Sequence, residues 1–387
     1  MHTTGCAEER NRIVRVTQLL LRKPIMQLPK IAKNHYEILI IMKRLIVLGL
    51  LFGVFAFAWK KYTVIDIKVV GQPSMTGSMQ KNMEQPFFES LQKKTGLPII
   101  VDYRPVDQMG FKDNFELAML KRDPIDIVSL RFVQNGQDEP SLIGIDLPGL
   151  IPDYQTAREI GQAYGTFIDE NLQHRYDAKL LGLWTFGPQI IFCNKPVHQL
   201  SDLKGLKVRV GGAFMTPLIQ SLGGFPIVIP FEQVADSLAQ KAIDCAISSE
   251  TSAYGAKWPA HLTHIYPIVT QMGTNGIVIR LKTWNKFSES QKIRLTDAVN
   301  SYVENTWNFA KKINRQASDC MQGTDNCVLD TRYKLVVSPI KRDDKEILRH
   351  FAIHQSFPVW AESCNKVHPN CSIRWKAAVE PIMNRTH

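Results

Sequence analysis

No Gly-x-Ser-x-Gly elbow, His-Glu-x-x-His pair, Gly-x-Gly-x-x-Gly turn or phosphate loop ending in Lys-Ser or Lys-Thr occurs in the 387 residues. Those absences remove the common sequence routes to serine hydrolysis, zinc proteolysis, dinucleotide binding and nucleotide-phosphate chemistry. No Cys-x-x-Cys is present either, which leaves a structural zinc site with little support. The formal charge of +11 suggests nucleic acid, but a basic run is missing from the body of the chain. Residues 1–58 hold nine basic residues against three acids, leaving 38 against 33 for the rest, so no nucleic-acid footprint remains. Long apolar runs are few, and the run Leu45–Ala58 is too short for a comfortable membrane span.

What is present is the composition of a soluble globular protein, 44% hydrophobic and 21% charged, with length for two domains or one large one. Met42, the pair Lys43 and Arg44, the apolar run and the small residues Ala56 and Ala58 have the layout of a secretory signal over 42–58. Residues 1–41 then form an upstream extension. Either translation starts at Met42, or the apolar run stays as an N-terminal anchor. Six cysteines follow the leader. Cys320 and Cys327, and Cys364 and Cys371, form two pairs in polar, loop-like sequence, as stapled loops do in an oxidising compartment. Local pairing is expected, with zinc as the rival reading. Cys193 and Cys245 lie in apolar strands and read as inert buried thiols. His261 and His264, three apart, read as a solvated pair or as metal ligands.

Strand and helix patterns alternate along the body. Val64–Val70, Pro98–Tyr103 and Asp126–Leu130 read as strands, with helices at Met79–Lys94 and around Phe111–Lys121. This is βαβαβ alternation, in which ligands collect at the carboxyl ends of the strands, here Gln72–Ser74 and Ser129–Arg131. A helix over Tyr154–Asn171 and a strand over Leu180–Phe186 follow. Gly187 and Pro188 then break the pattern before the strand Gln189–Cys193, as a crossing between domains would. Strands at Lys207–Val210, Pro226–Ile229 and Ile243–Ile247, with helices at Phe214–Leu222 and Glu232–Ala242, repeat the βαβαβ unit. After the strand Asn275–Leu281, Ser288 and Gln291 form a capping box. The stripe Leu295, Ala298, Val299, Tyr302, Val303, Phe309, Ala310 and Ile313 then makes a long helix that braces one or both domains. A strand at Tyr333–Val337 and helices at Asp343–His350, Pro358–Ser363 and Ser372–Met383 complete the chain.

The stretch Ser201–Val210 (SDLKGLKVRV) places Arg209 between Val208 and Val210, on the opposite face of its strand. From these residues alone it is either a surface arginine or a carboxylate clamp. Gly211 and Gly212 read as a tight turn or as backbone amides near an anion. The surrounding motifs, KPVHQLSDLKGLKVRVGG from Lys195 and SLGGFPIVIPFEQVADSLAQKAIDC from Ser221, resemble the solute-binding subunit of tripartite ATP-independent periplasmic (TRAP) transporters, in its dicarboxylate-binding-protein-like branch. The likeness runs more thinly from about Val64 to Ile313.

The resemblance implies an α/β, two-lobed periplasmic binding protein fold with hinge crossings and the long bracing helix. Lobe I would take 59–187 and 275–325, and lobe II 188–274 and 326–387. It makes Arg209 the arginine that pairs with a substrate carboxylate and Phe231 the aromatic at the pocket edge. Ser248, with Ser249 beside it, falls where many members have an Asn or Trp that contacts ligand. Gln189 falls where some place a second arginine. Trp184 reads as core or pocket wall, Phe214 likewise, Asn275 as a strand cap or a ligand hydrogen bond, and Arg131 as a second anion anchor or a surface ion pair. The expected function is periplasmic capture of a small organic acid for TRAP membrane subunits. No enzyme activity, cofactor or metal is expected, nor membrane contact beyond the transporter or an uncleaved leader. Presentation of ligand to a membrane sensor, and an enzyme on the same architecture, are the alternatives.

Overall fold

Ile65, Ile67 and Val69 are buried while Asp66 and Lys68 are exposed, the period-two pattern of a strand with one face in a core. In the computed structural model, which describes residues 42–46, 48–49, 64–110, 115–121 and 125–385, this strand is β1, Ile65–Gly71. The upstream extension and most of the leader lie outside those residues, as does the front of the helix expected over Phe111–Lys121. Residues 42–46 and 48–49 are helical. Among the described residues, no helix is long and apolar enough to cross a membrane. The chain from Val64 onward forms a single unit.

That unit contains two sheets. β2 (Ile99–Pro105) and β3 (Ile127–Arg131) run parallel to β1 on either side. The helix α1 (Tyr154–Tyr176), capped by Asp153, leads into β4 (Ala178–Thr185). The chain then crosses to the second sheet with β5 (Gln189–Cys193), followed by β6 (Lys207–Val210), β7 (Phe225–Val228) and β8 (Cys245–Ser248). After α2 (Glu250–Gly255), β9 (His264–Gln271) remains in the second sheet and β10 (Thr274–Arg280) returns to the first. The strand orders are β2-β1-β3-β10-β4 and, with β11 (Val336–Val337) at the edge, β11-β9-β5-β8-β6-β7. Each sheet thus has three parallel strands, and an antiparallel strand supplied across the hinge lies next to them: β10 in lobe I and β5 in lobe II.

Period two divides each sheet between two cores. Val70, Val128, Leu130 and Val278 face one apolar cluster in lobe I, and Ile67, Val69, Ile127 and Ile277 face the other. Ile191, Val208, Val210 and Ile247 face one cluster in lobe II, and Ile190, Phe192 and Ala246 the other. The long helix α3 (Glu289–Gln322) has the Ser288–Gln291 capping box and ends at Gly323. Leu295, Val299, Tyr302 and Ile313 enter lobe I, while Ala317 and Met321 enter lobe II. The brace therefore serves both lobes.

Three features differ from the sequence reading. β9 was unread: it carries Pro267 where the register slips, so that Gln189 faces Gln271 but Ile191 already faces Tyr266. The C-terminal segment is divided, although 326–387 was expected in lobe II. α4 (Arg342–Phe351) packs Leu348 and Phe351 into lobe II, whereas α5 (Phe357–Val367) and α6 (Cys371–Met383) return to lobe I. Trp360 Nε1 donates to Pro140 O at 2.7 Å and Trp375 Nε1 to Gly144 O at 2.5 Å, which anchors both indoles there. Finally, Cys193 and Cys245 are not free thiols. They are register partners on β5 and β8, bridged with their Cα atoms 4.1 Å apart. Cys320–Cys327 and Cys364–Cys371 are paired locally, as the spacing suggested.

Candidate functional site

β6 runs parallel between β7 and β8, with Val208 and Val210 in the core on one face. Arg209 consequently emerges on the other face, only 3% exposed. Its Nε donates to Ile229 O at 3.0 Å and its Nη1 to Ile247 O at 3.2 Å, so the strands on both sides hold the guanidinium in place. The Phe231 ring, 6.0 Å from its Cζ and packed against Trp258, forms an apolar wall beside it. Among the described residues, no Asp or Glu makes an ion pair with Arg209. Burial draws its pKa down to about 10 and the charge of Glu232 opposes that shift, which leaves it protonated at neutral pH.

Arg131 closes β3, at a strand end of the kind where ligands were expected, and is also 3% exposed. Its Nε donates to Glu116 Oε1 at 3.2 Å and its backbone N–H to Oε2 at 2.9 Å, while Asn135 Nδ2 donates to Oε2 at 2.6 Å. The ion pair anticipated at the surface is therefore buried. Burial raises the Glu116 carboxyl well above its ordinary range, against the hydrogen bonds from Arg131 and Asn135. Arg131 is lowered to about 9, by burial first; the charge of Arg209 adds to the lowering and Glu232 opposes it.

The two arginines line one cavity of about 60 Å³, together with Gln189, Phe231, Ser248 and Asn275. Gln189 Nε2 donates to Gly187 O at 2.8 Å and Asn275 Nδ2 to Gly273 O at 2.7 Å, so both amides are set by the hinge backbone. Phe186, Gln271 and Thr274 complete the hinge side, and Thr76 and Gln134 come from the short helical turns after β1 and β3. None of these five was singled out in the sequence, although Thr76 and Gln134 lie just beyond the strand ends marked there. The lobes touch on either side of the cavity. A Cβ on Gly212 would lie 2.4 Å from Val133 O, and one on Gly77, whose φ is +65°, would lie 3.2 Å from Gly255 Cα. The two lobes meet around the site.

The profile of a family described as bacterial extracellular solute-binding proteins, family 7, matches residues 72–350. The chain belongs to this family. Among its relatives, the sialic acid-binding periplasmic protein SiaP of Vibrio cholerae is 24% identical over 237 residues, covering 59% of this chain and 72% of SiaP. The DctP6 extracytoplasmic solute receptor of Bordetella pertussis, which binds pyroglutamic acid, superimposes with a TM-score of 0.71 at 16% identity, over 82% of this chain and 100% of that one. A TRAP periplasmic solute-binding protein of Shewanella oneidensis with bound succinate gives a TM-score of 0.66 at 20% identity, over 82% and 100%. The fold of this solute-binding protein is thus the two-lobed α/β fold of TRAP receptors.

Three of the expected residues stand away from the cavity of the solute-binding protein. Trp184 is buried in the lobe I core, its ring 5.0 Å from Phe186, which takes the wall position instead. Ser249 caps α2, with its Oγ accepting from Ser252 N–H at 3.3 Å. Phe214 packs against the lobe I core from a short turn of lobe II, a contact between lobes. Gly212 serves the close approach to Val133 in the same turn. The hinge itself is tied by Asp146, absent from the sequence reading. Its Oδ1 accepts from Met272 N–H at 2.8 Å and its Oδ2 from Thr274 N–H at 3.0 Å. Met272 O in turn accepts from Gly187 N–H at 3.1 Å, so Asp146 links both crossings.

Proposed function

We propose that this solute-binding protein captures a small organic acid in the periplasm and delivers it to the membrane subunits of a TRAP-type transporter, without chemical change to the ligand. The observation that carries the reading is Arg209. It is a buried cation with neutral carbonyl partners, at the edge of a cavity bounded by both lobes. A buried charge without a partner is costly, and a ligand carboxylate would satisfy the remaining guanidinium donors with charge-assisted hydrogen bonds. The relatives support the same ligand class: sialic acid, pyroglutamic acid and succinate are all acids. Three disulfides and the leader-like segment at 42–58 support export to an oxidising compartment. Lobe closure around the acid would create the surface that the membrane subunits recognise.

A thermal-shift screen of mono- and dicarboxylates, neutral sugars and amines tests this reading. An acid at about a hundred times its dissociation constant adds roughly 2.7 kcal/mol, a rise of several degrees in unfolding midpoint. A screen in which only uncharged or cationic solutes raise the midpoint contradicts it.

A further inference from the structure

Two guanidiniums reach the cavity from opposite lobes, and they differ in what balances them. Arg131 has its own counter-charge. Its Nε and backbone N–H both donate to Glu116, and Asn135 donates to the same carboxylate, so every neighbour bonded to Glu116 is a donor. Those donors favour the carboxylate form of Glu116 beside the Arg131 guanidinium, against the burial that raises it. A second buried acid, Glu84, lies within electrostatic reach of Arg131 and accepts from Gln72 N–H at 2.7 Å and Tyr103 Oη at 2.8 Å. Among the described residues Arg209 has no acid in hydrogen-bonding contact, only the carbonyls of Ile229 and Ile247, and Glu232 acts on both arginines through space. The cavity therefore presents one guanidinium without a bonded acid, at its lobe II end. Its lobe I end offers donors already tied to an acid.

We propose that the ligand is a compact monocarboxylate with a neutral, acceptor-bearing far end, such as an amide, ketone or hydroxyl group. The carboxylate pairs with Arg209 and the neutral end accepts from the Arg131 side of the cavity, where Asn275 and Thr274 also lie. This rests on the carboxylate-capture reading and narrows it. A dicarboxylate would bring a second anion to the end that already holds the Glu116 carboxylate. Its desolvation would then be opposed rather than repaid. Under this reading Arg131 decides specificity through charge balance, and Glu116 sets that balance.

Matched pairs that differ only in the charge of the far end test the assignment. Calorimetric titration of the purified chain at pH 7.5 would compare malonate, succinate and glutarate with their monoamides malonamate, succinamate and glutaramate. The monoamide is expected to bind at least tenfold more tightly than its diacid in the best-fitting pair. Glu116→Gln, confirmed as folded by its unfolding transition, is expected to narrow or reverse that ratio by freeing the charge of Arg131. A diacid that binds as tightly as its monoamide, or more tightly, overturns the inference and leaves carboxylate capture standing. If none of the six acids binds at millimolar concentration, the inference falls, while the broader acid screen decides the fate of carboxylate capture.

Discussion

Asp146 shows how much one buried carboxylate can govern at the hinge. Burial raises it from 3.8 to about 6, although backbone donors from Met272, Thr274 and Gly273 pull the other way. The folded chain thus holds this proton more tightly than the unfolded chain does. The stabilising contribution is fully present below about 3.8 and is lost as pH rises through about 6. The whole shift corresponds to ~3 kcal/mol. Urea unfolding of the wild type and Asp146→Asn at pH 4 and pH 7 should show the wild-type advantage shrinking by about that amount as pH rises. An advantage that is flat or grows with pH contradicts the assignment. At this scale the two flanking valines made the strand face of Arg209 legible, while its assignment as a ligand clamp came only with the family resemblance. The sequence exposed Asp146 poorly, because a carboxylate in loop-like sequence reveals nothing about the distant backbone amides it meets. Arg131 was visible as a strand-end cation, but Glu116 becomes its partner only when the chain folds.

Elements were legible where the apolar period was undisturbed. β5 and β6 match their expected bounds, and α3 follows its stripe from the Ser288 cap. β9 was hidden by Pro267, which a bulge accommodates. The shorter helices after β6 and β7 each begin as a tight turn before becoming α-helical, so their expected lengths were generous. The Cys193–Cys245 bridge was missed for a related reason. Strand identity can be read locally, but the antiparallel pairing of β5 with β8 follows from the chain crossing between lobes. This bridge fixes the strand that begins with Gln189 against the strand that ends with Ser248. Replacing both cysteines with alanine should cost about 2–4 kcal/mol in denaturant unfolding. Non-reducing peptide mapping should recover Cys193 linked to Cys245. A double variant as stable as the wild type, or a different linkage, contradicts the pairing.

For the whole molecule, the two βαβαβ units in the sequence announced two lobes, and the break at Gly187 and Pro188 marked where the chain first crosses. The ownership of the C-terminal helices was not legible, since Trp360 and Trp375 are apolar anchors that suit either lobe until the hydrogen-bonding carbonyls of Pro140 and Gly144 are in place. The close approaches of the lobes at Gly212 and Gly77 join the hinge, the brace and the arginines around one cavity. The proposed ligand clamp is the Arg209 cation, so calorimetric titration of the wild type, Arg209→Lys and Arg209→Ala with the best acid from the screen is decisive. Arg209→Ala is expected to lose at least a hundredfold in affinity, in line with the roughly 2–5 kcal/mol expected on truncating a buried charge pair, and Arg209→Lys to retain part of it. Full affinity in a folded Arg209→Ala would contradict the clamp.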